Sequence, residues 1–416
     1  MTPAAASAIR VDLVILGGGI SGLWLLDAAR RGGYRAVLLE ARALGSGQSI
    51  ASQGILHGGL KYTLKGITDP HAAVVQVIRQ MPGRWRAALE GTTAHDALSP
   101  SPDLRSVPVE SPCCYLWRGA GLKSTLSLLG AASMLQTSTS RVADADRPAA
   151  LRSCPGAVYR VQEQCVEPWR VLRVLREANA GAMALMDDGT LGFERSPEGK
   201  VTRVEFASGG QQFALAPGHV VLAAGSGNAT LRELLGLDAR VMQRRPLHMV
   251  MLRGRLPVFH GHCVDGAKTR VTITTHRFAD ADASEVAWQV GGNVAEKGVE
   301  QEPGELLAFA RRELAEVLPD VDLSGALWGT YRVDRAEEQT RQLLRPDDVS
   351  LLDDGNVLTA WPTKLVLAPR LADVVLKRVG APAGPVAPDD LLLPGAAKPA
   401  VAPTPWEECT RWTHVD

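Results

Sequence analysis

Residues 11–40 read VDLVILGGGISGLWLLDAARRGGYRAVLLE, a pattern that predicts a strand, a glycine turn, a helix and a second strand. The opening run is short and mostly apolar, which is typical of a strand buried on both faces of a parallel sheet. Gly17, Gly19 and Gly22 follow at the G-x-G-x-x-G spacing. Gly17 permits a tight turn, Gly19 lets a pyrophosphate approach the backbone, and Gly22 lets the helix pack closely on the strand. The unit therefore predicts a dinucleotide-binding fold.

Glu40 is predicted to end the second strand, about twenty residues beyond the glycines. A carboxylate at this place accepts hydrogen bonds from ribose hydroxyls and disfavours a 2′-phosphate. Amides at the start of the helix, near Ser21, would face the pyrophosphate. The alternative is a glycine-rich turn without a ligand. The frame of two strands, a helix and a terminal acid favours an adenine dinucleotide, FAD or NAD.

The composition is that of an ordinary globular protein of 416 residues, a length sufficient for two domains. Lysine plus arginine (45) equals aspartate plus glutamate (45), so no net charge attracts nucleic acid, and the expected partner is a small-molecule substrate. The start of the chain is not a secretory signal and no apolar run reaches the length of a membrane span. These features predict a cytoplasmic protein without a transmembrane segment and leave peripheral membrane contact open. The six cysteines show neither C-x-x-C nor metal-ligand spacing, so no metal is expected.

Residues 47–62, GQSIASQGILHGGLKY, form the second informative stretch. Glycines and small hydroxyl residues suit a loop that lays its amides along phosphates and a flat ring. The stretch resembles the flavin-contacting segment of the D-amino acid oxidase-type FAD oxidoreductases. Its ending, HGGLKY at residues 57–62, is most similar to the HGGLRY of the glycerol-3-phosphate dehydrogenase branch. The resemblance implies that the cofactor is FAD.

Three later segments resemble further parts of that family's cofactor site and occur in the family's order. Val166 corresponds to a valine that contacts the adenine through its backbone. Ala224 and Gly225 follow an apolar run that corresponds to the closing strand of the FAD domain. Residues 362–364 correspond to a turn at the pyrimidine edge of the flavin, where Lys364 matches a lysine of the glycerol-3-phosphate branch. The expected cofactor-binding residues are Gly17, Gly19, Ile20, Ser21, Gly22, Glu40, Ala41, Gly47, Gln48, Ser49, Ser52, Gln53, Gly54, Leu56, Val166, Ala224, Gly225, Thr363, Lys364 and Leu365.

The candidate catalytic residues are His57, Lys61, Tyr62 and Arg332. His57 has three interpretations: a structural histidine, a proton acceptor near flavin N5 or the substrate, or a covalent histidyl link to the flavin. Arg332, within WGTYRVD, resembles the family's substrate-anion-binding arginine, although Val333 replaces the usual proline; a plain surface arginine is the alternative. Lys61 and Tyr62 correspond to residues of the active-site wall, and an ordinary strand is their alternative.

Three further histidines have no predicted function. His248 is expected to fill a sheet rather than to face the substrate. His260 and His262 flank Gly261 without a third ligand in view, so they are expected to form a turn rather than a metal site.

The predicted fold class is α/β, with a Rossmann-like FAD-binding domain and an inserted antiparallel-sheet substrate domain. The predicted boundaries are 8–80, 155–238 and 340–382 for the FAD-binding domain, and 81–154 and 239–339 for the substrate domain. Residues 383–416 are rich in proline and alanine and lack periodicity, which predicts a loosely attached tail.

Together these features predict an FAD-dependent oxidoreductase that oxidises a C–OH or C–NH bond of a small anionic substrate by hydride transfer to flavin N5. The sequence shows no second dinucleotide fingerprint, so the substrate is expected to reduce the flavin directly, and oxygen or a quinone to reoxidise it. An NAD-dependent dehydrogenase would share residues 11–40 but would not need residues 47–62. The other alternative is a flavin-binding protein with a non-redox or RNA-modifying role. The neutral charge and the lack of a basic, aromatic-laced segment count against that role.

Overall fold

The computed structural model describes residues 8–58, 72–94, 97–119, 139–265, 268–278, 284–340, 346, 348–384 and 392–415. Lys61 and Tyr62 lie outside the described residues. The strands are β1 (Ile9–Leu16), β2 (Ala36–Glu40), β3 (Val109–Ser111), β4 (Cys114–Arg118), β5 (Thr139–Val142), β6 (Val158–Val161), β7 (Cys165–Val166), β8 (Met183–Leu185), β9 (Gly192–Arg195), β10 (Val201–Ser208), β11 (Gln211–Leu222), β12 (Met242–Gly254), β13 (Gly261–Asp265), β14 (Lys268–Arg277), β15 (Val286–Gly291), β16 (Leu327–Glu338), β17 (Ser350–Asp354) and β18 (Val357–Trp361). The α-helices are α1 (Ile20–Arg31), α2 (Ala72–Glu90), α3 (Pro168–Asn179), α4 (Asn228–Leu234), α5 (Asn293–Lys297), α6 (Pro303–Val317), α7 (Ala368–Val379) and α8 (Pro405–Glu408). Across the described ranges, none of the helices has both the length and the apolar character needed to cross a bilayer.

The first sheet has the strand order β17-β18-β11-β1-β2-β8, and β10 and β9 extend it from β11. The strands from β18 to β8 run parallel, and β17 joins the edge antiparallel. Val14 of β1 pairs with Val37 of β2 on one side and with Val220 of β11 on the other. Helix α1 is buried along nearly its whole length, as a crossover helix on a parallel sheet must be. This arrangement confirms the predicted α/β, Rossmann-like fold class.

The second sheet has the strand order β16-β12-β15-β14-β13-β4-β6-β5. Its pairs are antiparallel except for the parallel contact between β13 and β4. Helix α6 packs against it, because Leu306 and Leu314 share a buried core with Trp288 and Trp328. Apart from that parallel contact, this sheet agrees with the antiparallel sheet of the predicted fold class.

Helix α2 packs in the core of the first sheet, although residues from 81 onward are predicted to belong with the second. Trp85 is fully buried, its ring centroid lies 4.7 Å from that of Trp24, and its Nε1 donates to the carbonyl oxygen of Val366 at 3.0 Å. The helix and its apolar stripe continue through Pro82, so the predicted boundary after residue 80 falls within α2. The predicted boundary before residue 155 lies before β6, which pairs with β4 and β5 in the second sheet.

Residues 392–415 pack against the rest of the chain, which corrects the prediction of a loosely attached tail. Thr413 exchanges backbone hydrogen bonds with Trp328 at 2.7 and 2.9 Å. Trp406 is 3% exposed, and its ring stacks on His276 with 4.3 Å between the centroids. An extended, proline-rich segment buries single apolar residues at irregular spacing, so no periodicity in its sequence indicates the contact.

Candidate active site

A cavity of about 490 Å³ lies at the carboxyl ends of β1, β2, β11 and β18. In open α/β sheets this edge is where ligands bind. The predicted residues that line it are Gly17, Gly19, Ile20, Ser21, Glu40, Ala41, Gly47, Gln48, Ser49, Ser52, Ala224, Gly225, Arg332, Lys364 and Leu365. The predicted residues outside its lining are Gly22, Gln53, Gly54, Leu56, His57, Val166 and Thr363.

The glycine turn after β1 is packed so closely that side chains are excluded from it. Gly17 has a φ of 112°, and a Cβ on it would lie 2.5 Å from the Cα of Ala224. A Cβ on Gly22 would lie 2.0 Å from the carbonyl oxygen of Gly17. The two glycines therefore hold α1 close against the ends of β1 and β11, as the fingerprint requires.

The start of α1 faces the cavity. Gly19 is the N-cap residue and supplies no side-chain cap, and Gly19, Ile20 and Ser21 all line the cavity. The Ile20 amide donates to Ser49 Oγ at 3.0 Å, which ties the loop after β2 to the helix start. A helix N-terminus in this position favours an anionic group such as a pyrophosphate.

Glu40 is fixed at the end of β2 by three backbone amides. Its Oε2 accepts from Gly18 at 2.6 Å, and its Oε1 accepts from Ala41 and Arg42 at 2.9 Å each. The carboxylate is thus held beside the glycine turn, where the fingerprint places the ribose partner.

Gly47 and Gly225 leave backbone uncovered in the cavity wall. Their φ values are 91° and 57°, a region that glycine adopts without strain. No heavy atom of the described residues lies within 4 Å of a Cβ built on either one. The helix start in the cavity wall, the fixed acid and these open glycines together fit an adenine dinucleotide.

The loop after β2 joins the cavity to the second sheet. Gln48 Oε1 accepts from the Ala336 amide at 3.1 Å. Gln53 Nε2 donates to the carbonyl oxygens of Thr272 and Gln289, both at 3.1 Å. Backbone groups of the second sheet are therefore brought next to the segment that is predicted to contact the flavin.

The predicted adenine-contacting residue packs on this loop and does not line the cavity. The Val166 amide donates to the carbonyl oxygen of Gly54 at 3.0 Å, and the Leu56 amide donates to that of Gln164 at 2.9 Å. A Cβ on Gly54 would lie 1.9 Å from the carbonyl oxygen of Val166. A cofactor contact for Val166, Gly54 or Leu56 stays a prediction.

The turn after β18 contains a strained residue. Thr363 is buried and has a φ of 60°, which is uncommon for a β-branched residue. Strained backbone conformations of this kind cluster at functional sites. Lys364 and Leu365 line the cavity beside it. Trp361 also lines the cavity, and its Nε1 donates to the carbonyl oxygen of Gly225 at 3.3 Å. The sequence does not predict Trp361, and its only signal is its position directly before the predicted turn.

Arg332, on β16, is one of the residues that line the cavity, and its guanidinium is bonded to two carbonyl oxygens outside the lining. Its Nη1 donates to the carbonyl oxygen of Val299 at 3.0 Å and its Nη2 to that of Gln301 at 3.2 Å. His248 pairs with it across the strands and is buried, with Nδ1 3.0 Å from the carbonyl oxygen of Gly298. Two carbonyl contacts orient the guanidinium, and its predicted anion-binding role remains untested by these contacts.

His57 lies in a cluster that the sequence does not predict. Its Nδ1 is 3.2 Å from Oε2 of buried Glu163, and His262 Nε2 approaches the same oxygen at 3.4 Å. Burial raises the pKa of the Glu163 carboxyl, but the two histidines outweigh this effect and hold that pKa well below its usual range. The predicted turn at His262 is also corrected, because Gly261–Asp265 forms β13 between β14 and β4.

Comparison with known proteins supports the assignment of this cavity. The model of a family described as FAD dependent oxidoreductase (DAO) matches residues 12–365. The probable FAD-dependent oxidoreductase PA4991 of Pseudomonas aeruginosa is 40% identical over 408 residues, covering 96% of this chain and 98% of that protein. Its crystal structure superimposes with a TM-score of 0.78 at 36% identity, over 97% of this chain and 99% of the other.

Two more distant similarities are with proteins of named activity. The structure of glycine oxidase from Geobacillus kaustophilus matches with a TM-score of 0.60 at 17% identity, over 89% of this chain and 95% of the other, which is a likeness of fold. Glycerol-3-phosphate dehydrogenase of Mycobacterium leprae is 50% identical over 54 residues, 13% of this chain and 9% of that protein.

Proposed function

We propose that this chain, which belongs to the DAO family of FAD-dependent oxidoreductases, oxidises a C–OH or C–NH bond of a small anionic substrate. The family establishes FAD as the cofactor, which excludes the alternative of an NAD-dependent dehydrogenase. The two named activities of similar proteins, on glycine and on glycerol 3-phosphate, have in common a small anionic compound with an oxidisable amine or hydroxyl carbon.

The proposal depends on the order in which an acid, a glycine turn and a lysine are arranged along the cavity. Glu40 ends β2, the glycine turn follows β1, and Lys364 follows β18, so three strand spacings, roughly 14 Å, separate the acid from the lysine. This sequence of groups suits a ribose at one end, a pyrophosphate at the middle and an electron-accepting ring at the other end. Lys364 would then stabilise negative charge at the ring's pyrimidine edge.

FAD, when bound, would supply the hydride acceptor, its N5 atom. The residues of the chain would orient the substrate and handle charge. A guanidinium has five N–H donors, and the bonds of Arg332 to Val299 and Gln301 use one on each terminal nitrogen. The remaining donors can bind a carboxylate or phosphate, and the carbonyl contacts hold the fork in one orientation before the substrate arrives.

The proton of the substrate hydroxyl or amine needs an acceptor, for which His57 and a bound water are the two candidates. The Glu163 carboxylate beside His57 Nδ1 supports His57, because an anionic partner stabilises the protonated imidazole. Reoxidation would use oxygen or a quinone. The six free cysteines support a reducing, cytoplasmic compartment.

The test is reduction of the bound flavin under anaerobic conditions by hydroxy acids, amino acids and glycerol phosphate, each compared with a neutral amide or dephosphorylated analogue. The anionic member of a pair should reduce the flavin, and Arg332→Leu should raise its apparent Kd at least about tenfold without loss of bound FAD. Arg253→Leu is the matched control, because Arg253 pairs with Glu285 at 3.1 Å on the same sheet. Equal reduction by neutral analogues, or an unchanged Kd in Arg332→Leu, would overturn the anionic assignment.

A further inference from the structure

We propose that His57, Glu163 and His262 bind a divalent transition-metal ion, for which Zn²⁺ is the best match. Each residue offers one ligand atom, and these atoms all lie within 4.8 Å of one another. Two imidazole nitrogens and one carboxylate oxygen are donors that zinc accepts readily, and they leave a fourth position for water. The site is separate from the residues that line the dinucleotide cavity and does not rest on the proposed substrate.

The distances agree with tetrahedral coordination. Metal–ligand bonds of about 2.0–2.1 Å place neighbouring ligand atoms about 3.4 Å apart in a tetrahedral zinc site. Glu163 Oε2 lies 3.2 Å from His57 Nδ1 and 3.4 Å from His262 Nε2. These two distances fit an ion held between the three side chains, whose ligand atoms all lie within 4.8 Å of one another.

His262 provides an independent indication. The residue is 4% exposed, and among the described residues its Nε2 makes no hydrogen bond, only the 3.4 Å ion-pair contact with Glu163 Oε2. A buried imidazole nitrogen that lacks a hydrogen bond is unfavourable. A metal ion bound between the three ligand atoms would give this nitrogen a partner.

The outer atoms of the cluster are held as ligands of a metal usually are. His262 Nδ1 lies 3.0 Å from Thr272 Oγ1, a contact that fixes the ring and leaves Nε2 facing Glu163. Glu163 Oε1 accepts from the Gly58 amide at 2.9 Å, which leaves Oε2 toward the histidines. Each of these two ligands is therefore oriented through its other polar atom.

A second histidine–glutamate pair, His276 and Glu167, makes the same contact without a third ligand nearby. His276 Nδ1 lies 3.2 Å from Glu167 Oε2, its Nε2 lies 3.1 Å from Thr274 Oγ1, and the ring stacks on Trp406. Among the described residues no third metal-ligating side chain joins this pair. Glu167 is therefore a matched control for Glu163.

A metal ion held by His57 Nδ1 would leave a bound water as the acceptor of the substrate proton.

The experiment uses the FAD-loaded protein, dialysed against a chelator and then equilibrated with zinc chloride, with the bound metal measured by mass spectrometry. We expect one zinc ion per chain in the wild type and in Glu167→Gln. Glu163→Gln and His262→Gln should each weaken zinc binding at least about tenfold. Flavin content and thermal unfolding show which variants are folded. If Glu163→Gln does not fold, His262→Gln provides the test.

The thiols of Cys114 and Cys165, whose sulfur atoms are 3.5 Å apart, are an alternative place for zinc to bind. X-ray absorption at the zinc edge distinguishes the two sites by their ligand atoms. Nitrogen and oxygen ligands at about 2.0–2.1 Å are expected. Sulfur ligands at about 2.3 Å would assign the zinc to cysteine and overturn the proposal. A wild-type protein that retains no zinc, or folded variants that bind it as tightly as wild type, would overturn it as well.

Discussion

The Glu40 carboxylate accepts a hydrogen bond from the backbone amide of Gly18 at 2.6 Å. Gly18 belongs to the turn after β1 and Glu40 ends β2, so this bond joins two neighbouring strand ends at the wall of the cavity. The acid is therefore held in place before any ligand binds. Pre-organisation of this kind lowers the entropic cost of binding a flexible cofactor.

Glu40→Gln should weaken FAD binding, because the amide keeps the shape of the side chain but loses the charge that strengthens hydrogen bonds to ribose. Hydrogen bonds to charged groups contribute about 1.5–3 kcal/mol, which is roughly 10- to 100-fold in Kd. Flavin fluorescence during reconstitution of the apoprotein measures this change. Glu194→Gln, an exposed acid outside the cavity lining, is the control and should bind FAD as wild type does. Equal affinities in the two variants would show that Glu40 does not contact the ribose.

Gly22→Ala should disturb both the fold and cofactor binding, because its Cβ would lie 2.0 Å from the carbonyl oxygen of Gly17. Forcing atoms into a packed region costs about 1–3 kcal/mol, and here the movement displaces α1 from the cavity. Denaturant unfolding and the ratio of flavin to protein absorbance report the two effects. Gly304→Ala adds the same methyl group in α6 with no heavy atom of the described residues within 4 Å, and should be neutral or stabilising.

Asp373→Ala should be strongly destabilising. Arg84 of α2 is fully buried and pairs with Asp373 of α7 at 2.8 Å, so the substitution leaves an unpaired charge inside the first core. Removing one partner of a buried pair costs about 3–5 kcal/mol. Asp353→Ala breaks an exposed pair with Arg378 and should unfold close to the wild-type denaturant midpoint. Similar midpoints for the two variants would contradict the placement of α2 in the first core.

Trp406→Ala tests whether the C-terminal residues are part of the folded structure. The ring is buried against His276, so its removal should cost about 3–5 kcal/mol, whereas Trp406→Phe keeps a stacked ring and should lie in between. Thermal unfolding measures the series. A wild-type melting temperature in Trp406→Ala would restore the loosely attached tail that the sequence suggests.

The cofactor end of the site could be predicted from sequence because each of its segments has a local pattern that determines its backbone conformation. The glycines near Gly17, the acid Glu40 and the turn at Lys364 each follow a strand, and parallel strands end at the same edge of a sheet. The order of the segments along the chain was therefore enough to place them together.

The remaining contacts depend on strand register between distant segments. His57 and Glu163 are 106 residues apart, and His262 joins them only because β13 pairs with β4 in one register. A shift of one residue would turn His262 to the other face, and no local pattern specifies that register. The burial of Trp406 is equally non-local, since a single tryptophan in a proline-rich segment has no period to detect.

The most direct test of the central claim is anaerobic reduction of the flavin in the purified protein by a substrate found in the panel, with hydrogen or deuterium on the reacting carbon. We predict that the visible flavin band bleaches, that deuterium slows the bleaching, and that NADH does not replace the substrate. A flavin that no hydroxy acid, amino acid or glycerol phosphate reduces, while NADH reduces it rapidly, would contradict direct oxidation of a small anionic substrate at this site.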